Sequence, residues 1–222
     1  MTVDEVLDAL RGLEDARMRA VNVRWGDRHG ANLTGMRALA RRLKTDHPLA
    51  LALWDTGDPD ARLLATLICR PKLFGLDALD ALARQIDFPK LTEWFLGNVL
   101  KKSDHAEALR QRWKDLPGLL GRLGWGLTTD RVVKTPEGLD LTALLDQIEV
   151  EMKDTPAQKQ WAMNHCLAEI GIRHPEHRAR AIAIGERLEV LKDYPASPGC
   201  TPPFAPIWIA EMVRRQTASA PG

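Results

Sequence analysis

Apolar residues in this chain recur every three or four positions in short blocks, and most blocks open on a proline or a small capping residue. That spacing buries one stripe of a helix, whereas a half-buried strand needs strict alternation, which no segment shows. An all-α fold of about a dozen short helices is therefore predicted. Thr2 and Glu5 form a capping box ahead of Val3, Val6, Leu7, Leu10 and Leu13. Asp46 and Asp58 read as N-caps, with Pro48 and Pro59 in the first turn, where a missing amide hydrogen costs nothing.

Further helices are expected from Leu76 to Ile86, after Pro89, and over 104–115, 118–131, 140–153, 157–172, 176–191 and 206–216. Between the first block and the next, Asn22 to Gly35 is glycine-rich and polar and reads as an ordered loop. Asp193 to Pro206 holds too many prolines for a helix and reads as a strap over the last helices. Short helices joined by proline turns, without long heptads, predict antiparallel helix pairs stacked side by side as a HEAT-like α-solenoid.

Hydrophobic residues make up 45% of the 222 positions, enough for one continuous core. A single domain over 1–216 with a disordered tail over 217–222 is expected, as a monomer. Thirty-one Lys and Arg nearly cancel thirty Asp and Glu, so any polyanion-binding face must come from local segregation of charge. Cys69, Cys166 and Cys200 are an odd, widely spaced set, which argues for a reducing, cytoplasmic setting. The longest apolar run, Leu49 to Trp54, is far too short to span a bilayer, and the N-terminus does not read as an export signal.

Several residues stand out chemically. Arg37, Arg41 and Lys44 form a basic ridge beside the stripe of Leu33, Met36, Leu39 and Leu43. After Pro89 the stripe of Leu91, Trp94 and Phe95 runs into Asn98, either a core amide bonded to neighbouring backbone or a site residue. Arg122 lies among Leu119, Leu120 and Leu123, one turn before Trp125. It reads either as a partner of Asp115 or Asp130 or as a fork for phosphate. Trp161, Asn164, His165 and Ala168 share a polar and aromatic face beside the stripe of Met163, Cys166, Leu167 and Ile170.

Other patterns exclude chemistries. The histidines of HPEH lack a nearby cluster to complete a metal site, so no metal or cofactor is expected. GRLGWG at 121–126 lacks the Gly-Lys-Ser/Thr ending of a phosphate loop and reads as close helix packing. There is no nucleophile elbow.

The stretches RWGDRHGANLTGMRALARRLK, LALALWDTGDPDARLLATLI, the Trp94 helix and MNHCLAEIGIRHPEHR resemble the AlkD-like family of DNA alkylation repair proteins. The resemblance spans nearly the whole chain. It implies a HEAT-like solenoid that holds damaged double-stranded DNA on a concave basic face and excises alkylpurines without flipping them into a pocket. In similar glycosylases a Trp-x-x-x-Asp on one helix, an Arg on a later one and a second Trp near the C-terminus form the site. By that resemblance the positions are Trp94, Asn98, Arg122 and His165, with an amide replacing the carboxylate and an imidazole the second indole. Arg37, Arg41, Lys44, Lys101, Lys102 and Trp161 are the expected DNA contacts. Two functions follow as expectations: a nucleoid-associated glycosylase with an altered site, or a scaffold for DNA or protein that has lost the activity.

Overall fold

The computed structural model describes residues 1–197 and 199–218, and these form thirteen α-helices and three short 3-10 turns with no strand among them. The chain divides into two compact units, the first ending at Ala108 and the second beginning at Leu109.

The N-terminal unit holds α1 (Val3–Arg11), α2 (Ala16–Arg24), α3 (Leu33–Leu43), α4 (His47–Asp55), α5 (Pro59–Ile68), α6 (Leu76–Ala83) and α7 (Pro89–Asn98). Their starts follow local rules. Thr2 and Glu5 close the predicted capping box, Asp46 accepts from the Leu49 amide at 3.0 Å, and Asp58 accepts from Ala61 at 2.8 Å. Helix α5 is the centre of this unit and packs against α3, α4 and α7, burying Leu63, Leu64 and Ile68 completely.

The sequence reading missed α2, and its loop from Asn22 to Gly35 is shorter than expected because Asn22–Arg24 are helical. The reason is physical: α2 buries no residue, so it carries no stripe to read. The chain between α2 and α3 is ordered as predicted, through one buried acid. Asp60 on α5 accepts from the amides of Gly30 and Ala31, each at 3.0 Å. Burial pushes its carboxyl above the ordinary value, while those two amides pull it down. Helix α1 is also shorter than its stripe: Gly12 ends it, and Leu13 packs on Gly35, where a Cβ would lie 2.6 Å from a Leu13 methyl.

A further helix, α8 (Ala106–Trp113), contains the boundary between units. The C-terminal unit continues with α9 (Gly118–Lys134), α10 (Leu141–Glu151), α11 (Ala157–Arg173), α12 (Pro175–Leu188) and α13 (Ala205–Ala218). Helix α11 packs on α9, α12 and α13 and buries Met163, Cys166, Leu167 and Ile170, the predicted stripe. The glycines of α9 serve close packing: a Cβ on Gly121 would sit 2.0 Å from the Leu116 carbonyl, and one on Gly124 2.4 Å from the Lys114 nitrogen. The strap between α12 and α13 is held by Asn164, whose Nδ2 donates to the Pro203 carbonyl at 2.8 Å. Of the tail expected over 217–222, Thr217 and Ala218 continue α13, and 219–222 lie outside the described residues.

Among the described residues no helix is long and apolar enough to cross a membrane, and no three His, Cys, Asp or Glu side chains gather as metal ligands. His174 instead lies 3.3 Å from the Val132 carbonyl and 3.8 Å from Glu176.

Candidate nucleic-acid interface

In the N-terminal unit the ridge on α3 borders an open groove of about 420 Å³, lined by Arg37, Ala40, Arg41, Lys44, Thr45 and Leu67. Thr45 also borders a second groove of about 510 Å³, where Arg70, Lys72 and Lys102 project beside Pro71 and Leu73. Among the described residues no carboxylate lines either groove. Lys72 pairs with Asp104 at 3.4 Å, an exposed contact of little strength.

The local sequence places these charges. Arg37 and Arg41 are one turn apart on α3, and Lys44 caps the helix with a positive φ of 58°. Arg70 and Lys72 flank Pro71, which starts a 3-10 turn directly after α5, and Lys102 closes another turn after α7. Lys101 is half-buried and engaged within the protein.

Trp94 lies in the same unit but offers little open surface. It is 9% exposed, and the Arg37 guanidinium lies 4.9 Å from the ring centroid, a cation–π contact. Asn98 is half-buried, and its Nδ2 donates a long 3.4 Å hydrogen bond to the Thr66 hydroxyl on α5. That hydroxyl itself donates to the Leu63 carbonyl at 2.8 Å. The amide at Asn98 thus joins α7 to α5. Two acids near it in sequence are taken up elsewhere: Glu93 with Lys90 at 2.9 Å and Asp104 with Lys72.

The remaining predicted residues belong to the C-terminal unit. Arg122 on α9 is half-buried and already holds an interaction within the chain. Asp115, one of its two expected partners, accepts from Lys114 at 2.7 Å and from Gln147 at 2.7 Å. His165 stacks on Trp208 of α13 with centroids 5.1 Å apart and planes 10° from parallel. Its Nε2 lies 3.7 Å from Glu169, which also takes Arg173 at 2.8 Å. The neighbouring His165, then the Arg173 hydrogen bond, hold the Glu169 carboxyl below the usual range against the opposing effect of burial. Trp161, one turn before His165, meets Tyr194 edge-on at 5.1 Å.

The structure therefore gathers Arg37, Arg41, Lys44 and Lys102 around two grooves in the first unit, with Arg37 alone set against Trp94, and gathers Trp161 and His165 among aromatic neighbours in the second. Sequence reasoning missed Arg70, Lys72, Tyr194 and Trp208. The first two carried a usable signal, since a proline just past a helix end marks a turn, and turns run over the surface. Trp208 carried none, because its partner is 43 positions earlier in the chain.

An all-helical protein of this kind, with short helices packed one on the next and cations lining shallow grooves, falls in the class of helical-repeat proteins. The chain belongs to the DNA alkylation repair enzyme family, whose model matches residues 6–198. A solved structure covers 97% of this chain and 95% of its own, with a TM-score of 0.80 and 20% identity. It is described as one of a new family of proteins related to the HEAT-like repeat DNA glycosylases with affinity for branched DNA structures. The likeness establishes the HEAT-like repeat fold. None of the curated proteins compared with the chain matches it.

Proposed function

We propose that this protein is a DNA-binding member of its family that grips the phosphate backbone through the grooves of its N-terminal unit and excises alkylpurines poorly. One observation carries the reading: six cations, Arg37, Arg41, Lys44, Arg70, Lys72 and Lys102, line two adjoining grooves without a carboxylate. Such a surface suits phosphate oxygens, which position a protein on DNA without reading sequence.

Excision is another matter. Departure of an alkylpurine builds positive charge on the deoxyribose, which a carboxylate stabilises as it forms. Asn98 supplies only an amide dipole, whose Nδ2 is turned to the Thr66 hydroxyl. An ion pair at about 4 Å is worth roughly 4 kcal/mol at an effective dielectric near 20, so its absence costs on the order of a thousandfold in rate.

The similar solved structure's affinity for branched DNA supports offering this chain junctions as well as linear duplex. Binding of labelled duplex and four-way junction, titrated across salt, tests the reading. Six phosphate contacts predict a slope of log affinity on log salt of roughly −5. Single-turnover release of 7-methylguanine from the bound duplex should stay close to the no-enzyme rate. A flat salt response sinks the proposed DNA grip, and rapid release sinks the proposed loss of chemistry.

A further inference from the structure

The C-terminal unit contains a further concavity that the basic grooves leave unexplained. Trp161 on α11, Trp208 on α13 and Tyr194 on the strap border a space of about 290 Å³, with Ser197, Thr201 and Pro203 along its rim. That volume is at the small end of ligand pockets, which begin at roughly 300 Å³, so it suits a single flat ring system rather than an extended ligand.

Two features show that the pocket is built rather than left over. Its walls are braced: His165 lies parallel against Trp208, Tyr194 stands edge-on to Trp161, and Asn164 ties down the strap at Pro203. Yet the rings are not packed shut. Tyr194 is 43% exposed, and Trp161 and Trp208 are partly exposed. Pro195, Pro202 and Pro203 fix φ along the strap, so little chain entropy remains to be lost when a guest enters.

The lining selects the guest. Among the described residues it contains no charged side chain, so it offers no carboxylate for a primary ammonium ion and no cation for a carboxylate. It does offer ring faces, together with the hydroxyls of Ser197 and Thr201, which donate and accept hydrogen bonds. Next to the lining, Arg215 donates to the Thr201 hydroxyl at 3.4 Å and pairs with Glu211 at 2.6 Å. Flat faces and neutral polar edges match an unpaired nucleobase.

We infer that this pocket receives one unpaired base of a DNA strand, stacked against Trp161, Tyr194 and Trp208. The inference rests on the DNA-binding reading and adds to it a structural preference: the protein distinguishes DNA with a free base from fully paired duplex.

The test uses a duplex carrying a single bulged 2-aminopurine and the same duplex fully paired. The wild-type protein should bind the bulged form about tenfold tighter, the effect of one stacked base, with a change in 2-aminopurine fluorescence on binding. Tyr194→Ala, at an exposed position, should abolish the preference while leaving affinity for paired duplex unchanged, and Tyr194→Phe should retain it. Equal wild-type affinity for both duplexes overturns the pocket and leaves the basic grooves standing. Failure to bind either duplex overturns both readings. Saturable binding of choline, followed by tryptophan fluorescence in a protein without bulge preference, replaces the nucleobase with a quaternary ammonium ligand.

Discussion

At the scale of single residues, environment separates groups that look equivalent in sequence. The three cysteines are an example. Burial pushes the Cys166 thiol up to about 12 and the Cys69 thiol up to about 11, whereas Cys200 is exposed on the strap. Thiolates are the reacting species, so a native-state titration with a disulfide reagent should modify Cys200 quickly and the other two only on unfolding. Cys200→Ser should remove the fast phase. Glu169 is a second case. Its folded pKa lies below its ordinary 4.5, so its contribution to stability is complete above that pH and is lost as pH falls through the lowered value. Urea midpoints measured between about pH 6 and pH 3 should therefore fall less steeply in Glu169→Gln than in the wild type. An unchanged slope would mean that Arg173 and His165 do nothing for this carboxylate.

At the scale of elements, legibility followed burial. Helices with one buried stripe, such as α3, α10 and α11, announced themselves within a few residues of their observed ends. Helix α2 did not, because nothing in it is buried and its only signal was the N-cap, Asp15, which accepts from Arg17 at 2.9 Å. The candidate site was legible to the same extent. The ridge on α3 follows from spacing within one helix, but the pairing of His165 with Trp208 depends on α13 returning to α11, which no local pattern encodes. The glycine cluster of α9 was read correctly as packing, and its consequence is measurable. Gly124→Ala places a methyl against the backbone of Lys114, which cannot swing aside as a side chain would. It should cost about 3 kcal/mol in chemical denaturation, at the upper end for overpacked sites. Gly97→Ala, with open space around it inside α7, should be neutral or stabilising by up to about 1 kcal/mol.

At the scale of the whole molecule, charge is balanced in total and segregated in place. Across the sequence the net charge is +1, yet the two grooves of the N-terminal unit collect six cations. In the other unit, by contrast, Arg180 and Arg187 share Glu149, and Arg214 and Arg215 share Glu211. Single replacements should reflect this difference. Arg41→Ala or Lys102→Ala should weaken binding alike for all DNA sequences and reduce the salt slope by about 1. Arg187→Ala, which removes a charge already neutralised by Glu149, should alter neither.

That segregation also governs how the protein meets DNA in time. Charges separated by more than about 8 Å of physiological saline scarcely feel one another, and from beyond that distance a chain of net charge +1 is nearly neutral. Long-range steering is then weak, so collisions proceed at the unguided rate of roughly 10⁵–10⁶ M⁻¹s⁻¹. The grooves act only after contact, by slowing departure. Added salt should consequently shorten residence far more than it delays arrival, and the protein should ignore most of the polyanions it passes.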